Sequence, residues 1–360
     1  MKYIDEFRDR RLVAKEAAII RAAATGKWRF MEVCGTHTMS IFRFGLRQIL
    51  PDDIELLSGP GCPVCVTPNS YIDKAIAIAG EENVIVATFG DMLRVPGSSS
   101  TLEACKAAGC DIRIVYSTTD ALEIAKKHPG KEVVFLGVGF ETTVPTVAQS
   151  IIMADKAGIG NYSVLSAHKT MPEALKSLAV SGLNVDGFIL PGHVCAITGT
   201  GPYKFLAKIY DKRCVVAGFE PLDILQSIGM LIKQKSPKVE IQYRRIASPG
   251  GNPKARASMY KVFEKCDSVW RGIGKVADSG LKIKKSYCDF DAEAKLRIKV
   301  SPSKENAACR CGDVLKGLIS PPECQLFAKV CTPEHPVGAC MVSGEGACSA
   351  YYKYRDKKNG

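Results

Sequence analysis

Leu57-Ser-Gly-Pro-Gly-Cys-Pro-Val-Cys-Val-Thr-Pro68 joins a strand-like run, Ile54 to Leu57, to a helix-like run, Tyr71 to Ala79. Gly59, Pro60, Gly61 and Pro63 force a tight turn between them. A strand that turns sharply into a helix is the building unit of parallel α/β folds. The turn carries Cys62 and Cys65 in Cys-x-x-Cys spacing. Such a pair can close into a small disulfide ring, and its thiols are expected to have lowered pKa values because helix N-terminal amides favour the thiolate. It can equally be half of a metal site. The choice depends on what other sulfur the fold brings near.

The same unit repeats on both sides of this turn. Strand-like runs occur at Trp28–Val33, Val84–Phe89, Ile112–Tyr116, Val133–Val138, Tyr162–Ser166, Gly187–Leu190, Cys214–Gly218 and Val239–Arg244. Helix-like runs alternate with them at Leu102–Ala108, Ala121–His128, Val144–Lys156, Pro172–Val180, Tyr203–Tyr210 and Asp223–Gln234. Residues 4–24 also have helical spacing of apolar positions, with Gly26 as a stop. These strands are too many for one modest sheet. The expected fold is therefore α/β, with two similar parallel-sheet α/β domains, residues 1–130 carrying Cys34 and the Cys62/Cys65 turn, and residues 131–250. Residues 251–360 form a loop-rich, mainly helical third unit, on which the N-terminal helix is expected to pack.

Ligand sites of open α/β sheets lie at the carboxyl ends of the strands. Those ends hold Cys34-Gly-Thr-His-Thr, with a thiol, the imidazole of His37 and two hydroxyls, and a polar set comprising Asp91, Glu141, His168, His193 and Glu220. Gly139-Phe-Glu-Thr142 and Gly218-Phe-Glu-Pro221 echo one another, each between a strand and a helix. Neither a Gly-x-x-x-x-Gly-Lys-Ser/Thr nor a Gly-x-Gly-x-x-Gly run is present, so a nucleotide is not indicated.

The chain contains 15 cysteines, too many to be incidental. Cys105, Cys110, Cys195, Cys214, Cys266 and Cys288 stand singly and read as small core residues. Cys309, Cys311, Cys324, Cys331, Cys340 and Cys348 crowd the carboxyl-terminal stretch, with gaps of 12, 6, 8 and 7 residues after Cys311. Paired zinc knuckles and the short bacterial ferredoxin run are both absent. A four-thiolate iron–sulfur cluster with ligands spread over a loop-rich cap fits these gaps better than zinc does.

No apolar run reaches the roughly 18 residues needed to span a bilayer. The charged amino terminus has no signal-peptide core, so a cytoplasmic protein with no membrane partner is expected. The formal net charge of +12 is concentrated between Lys204 and Lys304. Without interleaved aromatics, it reads as a solvated face rather than a nucleic-acid surface.

Taken together, Cys34-Gly-Thr-His-Thr, Gly59-Pro-Gly-Cys-Pro-Val-Cys-Val-Thr-Pro68, Gly139-Phe-Glu-Thr-Thr, Pro191-Gly-His-Val, Gly218-Phe-Glu-Pro-Leu-Asp223 and Glu345-Gly-Ala-Cys-Ser-Ala-Tyr-Tyr352 closely resemble the motifs of the hydrogenase maturation factor HypD family. The resemblance runs through most of the chain. It implies a scaffold on which the iron of [NiFe] hydrogenases receives its cyanide and carbon monoxide ligands, the Fe(CN)2CO unit. The implied partners are a HypC-type small chaperone and a HypE-type cyanide donor. It also implies a [4Fe–4S] cluster in the carboxyl-terminal part, with Cys311, Cys324, Cys331 and Cys348 as the expected ligands and Cys309 and Cys340 as alternates. Cys34, Cys62 and Cys65 are then the expected iron-binding thiols, since low-spin iron wants soft donors. The Cys62/Cys65 pair would cycle two electrons, and His37 would orient Cys34 or carry protons. Two other readings compete with this one: an iron–sulfur-dependent thiol–disulfide oxidoreductase acting on a protein, and a zinc-stapled nucleic-acid binder.

Overall fold

A computed structural model describes residues 2 and 4–354. Its parallel strands are, in chain order, β1 (Trp28–Glu32), β2 (Ile54–Ser58), β3 (Val84–Thr88), β4 (Ile112–Ile114), β5 (Glu132–Gly137), β6 (Tyr162–Ser166), β7 (Gly187–Pro191), β8 (Arg213–Ala217) and β9 (Val239–Ile241). They form two parallel sheets, one in the order β2-β1-β7-β8-β9 and one in the order β4-β3-β5-β6. The fold is α/β with two parallel sheets, as the strand–helix alternation requires.

The strands are shared between the sheets differently from a cut at residue 130. β1 pairs with β7, Phe30 opposite Gly187, and β3 pairs with β5, Val84 opposite Glu132. The chain starts the first sheet, leaves it after β2 to build the whole second sheet, and returns at β7. Order along the sequence alone cannot reveal such an excursion, because every βα unit has the same pattern.

Side chains alternate across each sheet with a period of two, so each sheet has two apolar faces. Phe30, Leu56, Ile189 and Val215 point to one side of the first sheet, where they meet Ile20, Ile224 and Ile228 of the helices Arg10–Ala23 and Pro221–Lys233. The N-terminal helix thus packs on the helix Pro221–Lys233, not on the carboxyl-terminal unit as expected. Met31, Phe188, Leu190 and Val216 point to the other side, into a core that also takes Val86, Val134 and Leu136 of the second sheet. Cys62, Cys65, Cys311, Cys331, Cys340 and Cys348 belong to this same central core.

The stretch after residue 250 is not mainly helical throughout. The helix Pro253–Val262, capped by Asn252, runs into an antiparallel hairpin of β10 (Phe263–Trp270) and β11 (Gly274–Ile283). The hairpin reads as a charged, solvated stretch because one face is wet, with the paired Glu264 and Lys282 exposed. Its other face supplies Phe263, Leu281 and Ile283 to the core beneath the second sheet. From Cys311 to the end of the described residues there are only short helical turns and one longer helix, Ala347–Tyr354. Among the described residues no helix is long and apolar enough to cross a membrane.

Lys169 pins the hairpin to the second sheet. It is only 2% exposed, and its Nζ donates to Ser268 Oγ and Val269 O at 2.7 Å each. The ammonium also lies 5.3 Å from the Trp270 ring centroid. Burial pushes its pKa down to about 7. Between that value and the unfolded one near 10.5, the folded chain binds fewer protons than the unfolded chain, so this residue's contribution to stability rises with pH. Urea unfolding at pH 7 and pH 9 should therefore show the wild type gaining on Lys169→Met by up to about 1.4 kcal/mol per pH unit. An equal gap at both pH values would contradict this account.

Candidate functional site

β1 and β2 are parallel neighbours, so their carboxyl ends emerge side by side. Cys34 follows β1 as the N-cap of the helix Gly35–Arg43, and Cys62 is the N-cap of the short helical turn Pro63–Val66. The two segments touch through their backbones. The Gly35 N–H donates to Gly61 O at 3.0 Å, and a Cβ on Gly61 would lie 2.2 Å from Cys34 N. Glycine at 61 is therefore required for the approach of Cys34 to the Cys62/Cys65 turn.

Cys62 Sγ accepts from Cys65 N at 3.2 Å, which closes the turn around its sulfur. Cys65 is fully buried, its Sγ 4.0 Å from the backbone oxygen of Ala339, the residue before Cys340. Cys65 departs from the lowered pKa expected at a helix N-terminus. Burial pushes its thiol well up, because desolvation of a thiolate outweighs a few amide dipoles.

Cys34 keeps some solvent contact. Desolvation, followed by the charge of Glu345, pushes its thiol up to about 12, while the amides of Thr36 and His37 pull less strongly the other way. Two carboxyl groups flank it. Glu32, buried at the end of β1, accepts from Cys34 N at 3.1 Å and from the Thr38 hydroxyl, and burial raises it to about 8. Glu345 comes from the carboxyl-terminal segment and accepts from Thr36 Oγ1 at 2.7 Å. It lies so close to Gly35 that a Cβ there would meet its backbone oxygen at 2.7 Å. Sequence reasoning missed both carboxyls. A glutamate in an otherwise inward-facing strand position just before Cys34, and another three residues before Cys348, were the available signals.

His37 is buried beneath Cys34, but its ring does not pair with the thiol. Its Nε2–H donates to Gly218 O at 3.0 Å, and Nδ1 is left as an acceptor with no partner among the described residues. Burial lowers its pKa to about 4, so it is neutral. Its ring stacks on Phe219, 4.7 Å between centroids, and His193 packs on Phe219 at 4.1 Å. The Gly218-Phe-Glu-Pro221 loop is thereby brought against the Cys34 helix. Glu220 in that loop is bound to Arg8, with Nη2 to Oε1 at 2.9 Å, and begins the helix Pro221–Lys233. Glu141 lies apart. Its Oε1 accepts from Met171 N at 3.0 Å, its Oε2 has no partner, and burial raises its pKa to about 7.

The carboxyl-terminal cysteines converge. Cys309, Cys311, Cys324, Cys331, Cys340 and Cys348 all line one small cavity, together with Val314, Leu326, Phe327, Gly338 and Met341. Cys340 is fully buried, lines the cavity with Cys311 and Cys348, and shares the central core with Cys65. Cys331 Sγ accepts from Val337 N at 3.4 Å. Gly338 faces the sulfurs bare, since a Cβ there would lie 2.7 Å from Cys309 Sγ. Among the described residues no three His, Cys, Asp or Glu side chains converge as a single-ion site. A cubane differs from a lone ion in that each thiolate meets its own iron, so its sulfurs surround a volume rather than one point. A pocket with this many thiols, apolar walls, an amide donated to sulfur and room left by a bare glycine fits a [4Fe–4S] cluster. Cys62 and Cys65 are buried and Cys34 half-buried, and none of the three lines this cavity. Of the cysteines read as isolated, Cys195 and Cys214 are buried in the core, while Cys288 is exposed.

Two parallel sheets, with a thiol turn at the strand ends of the first and a cysteine-lined cavity behind it, define a thiol-rich α/β protein. The HypD family model, described as "Hydrogenase formation hypA family", matches residues 11–355. The chain is similar to "Hydrogenase maturation factor HypD" of Rhodobacter capsulatus, 46% identical over 98% of this chain and 98% of that protein. It is similar in the same way to the protein of that name from Cupriavidus necator, 45% identical over 98% and 97% of the two chains. The Escherichia coli K12 protein of that name is 43% identical over 100% of both. The chain belongs to the HypD family.

Gly61→Ala tests the backbone contact on which the site rests. The added methyl would meet backbone atoms of Val33 and Cys34, which cannot swing aside. Urea unfolding should show a loss of about 1–3 kcal/mol. Gly130→Ala, where a Cβ meets nothing within 4 Å, should leave stability unchanged.

Proposed function

We propose that this chain is a hydrogenase maturation factor that holds iron while the iron acquires cyanide and carbon monoxide as the Fe(CN)2CO unit of [NiFe] hydrogenases. Family membership supports the broader role. One observation carries the finer reading: the thiol-bearing segments adjoin one another. The Cys34–Gly35 backbone meets Gly61 beside Cys62, Cys65 shares one buried core with Cys340, and Cys340 lines the cavity with the other carboxyl-terminal cysteines.

Each of these segments has its own task. Cys34, partly exposed at the strand ends, is the anchor for the iron cargo, with Cys62 and Cys65 as further soft donors. Its exposure leaves room for a cysteine of a HypC-type chaperone to share the iron, and for a HypE-type donor to approach with cyanide. Iron binding requires Cys34 to lose its proton, and the Glu345 carboxyl flanks the thiol as an acceptor. His37, held neutral by burial, fixes the Gly218 loop against the Cys34 helix. The Cys62/Cys65 dithiol releases two electrons on closing to a disulfide. A [4Fe–4S] cluster held by Cys311, Cys324, Cys331 and Cys348, with Cys340 between it and Cys65, would supply single electrons to restore the dithiol. A cytoplasmic location suits a protein whose thiols must be re-reduced.

Infrared spectroscopy of the anaerobically isolated protein with its chaperone tests this reading. Bands are expected in the cyanide and carbon monoxide stretching region, and they should disappear in Cys34→Ala. Bands that persist unchanged in that variant would exclude Cys34 as the iron anchor. Retained thiol–disulfide exchange on a protein, with no such bands in the wild type, would favour the oxidoreductase reading.

A further inference from the structure

Arg271 occupies the tip of the β10–β11 hairpin and is 5% exposed. Its backbone N–H donates to Val66 O and its Nε to Thr67 O, each at 2.8 Å. Those two carbonyls directly follow Cys65. The next residue, Gly272, has φ +75° and lies against the other thiol segment. A Cβ on Gly272 would stand 2.2 Å from the Cα of Gly312, the neighbour of Cys311. The hairpin tip is thus clamped between the Cys62/Cys65 turn and the cysteine cavity.

Of these bonds the guanidinium makes only the one from Nε. Its Nη2 is buried and has no acceptor among the described residues. A buried charged donor without an acceptor is expensive, so such a group calls for an explanation. The Gly272–Gly312 contact sets it beside the segment that carries Cys309 and Cys311, where its charge partly offsets the neighbouring thiols and burial that push both thiols up. The neighbouring Arg310 does not compete for this role, because it is half-exposed and its Nε is bound to Asp313 Oδ2 at 2.7 Å.

We propose that Arg271 is a positioning residue of the cysteine cavity, whose Nη2 donates to the anionic sulfur shell of the cluster while its Nε holds the Cys62/Cys65 turn against it. The proposal rests on the reading that the cavity takes a [4Fe–4S] cluster. A cluster held by four thiolates carries net negative charge, and hydrogen bonds to its sulfurs and nearby cations favour its more reduced state. The planar guanidinium fork can hold a carbonyl with one nitrogen and face sulfur with another. The single ammonium of a lysine cannot do both.

The test has a cluster-bearing arm and a cluster-free arm. In the reconstituted, reduced wild-type protein labelled with ¹⁵N-arginine, pulsed electron paramagnetic resonance should detect hyperfine coupling from one guanidinium, absent in Arg271→Gln. The cluster potential of that variant should move in the negative direction, with Arg271→Lys falling between the two. In the cluster-free reduced protein, alkylation of Cys309 and Cys311 by iodoacetamide should be several-fold slower in Arg271→Gln than in wild type, while Cys288 alkylates at an unchanged rate. A cluster that forms without ¹⁵N coupling overturns the inference and leaves the cavity reading intact. If no cluster can be reconstituted, the cavity reading fails, and the alkylation rates still decide whether Arg271 acts on these thiols. Should Arg271→Gln not fold, coupling in the wild type supports the inference and its absence there overturns it.

Discussion

The contact between the Cys34–Gly35 backbone and Gly61 is the constraint from which the site follows. Two parallel strands are about 5 Å apart, so the segments leaving their carboxyl ends start as neighbours. Whether they stay together depends on side-chain bulk. Here a bare Cα at 61 and the Gly35 N–H to Gly61 O bond let two separate turns lie in contact. Gly35, in turn, leaves space for Glu345 from the carboxyl-terminal segment. Three distant stretches therefore meet at one place because two residues lack a Cβ. Any side chain at either position would push the Cys34 helix away from the Cys62/Cys65 turn or from the closing segment.

The electrostatics of the centre follow from how deeply it is buried. Desolvation raises Glu32 and Cys34, raises Cys65 strongly, and lowers His37. Each shift favours the uncharged form, so the centre avoids most of the penalty of buried charge. This is the opposite of a resting thiolate nucleophile, whose surroundings would be positive. Thiols kept neutral until a cation displaces the proton suit metal capture better than unaided attack on a disulfide. Two charges stay close to the thiols: the Glu345 carboxylate beside Cys34, and the Arg271 guanidinium on the side of the cysteine cavity.

The fold class was legible because strand–helix alternation is a local signal, written in the spacing of apolar residues. The grouping of strands into sheets was not, since β1 pairs with β7 across more than a hundred and fifty residues and nothing in either strand names its partner. The hairpin at 263–283 was hidden by charge: Lys282 is exposed beside the buried Leu281 and Ile283, and the charged positions mask the alternation. Cys34, Cys62 and Cys65 stood out because glycine, proline and thiol together are uncommon at a strand end. Glu32, Glu345 and Arg271 did not, because an isolated charged residue looks the same in sequence whether solvated or buried. The sequence pattern for Cys65 also misled on its pKa, since a helix of only four residues adds little dipole and the burial around it is a tertiary property.

The carboxyl-terminal segment shows why the cavity and the sheets depend on one another. From Cys311 onward its helical turns are three to five residues long until Ala347–Tyr354. A stretch this short, with so little regular structure, cannot bury enough apolar surface to hold itself together. It is held from outside at three points. Gly317 leaves its backbone against Met31 and Leu57 of the first sheet, and Tyr351 packs on Phe42 of the Cys34 helix at 4.4 Å. Cys340 shares the central core with Cys65. A thiolate-bound cluster would be the fourth point, and in a segment of this kind cofactor binding and folding are one equilibrium. The Glu345 contact to Thr36 then connects the state of the cavity to the surroundings of Cys34, because loosening the segment withdraws a carboxylate from beside that thiol. The two groups of thiols are in this way tied together by packing.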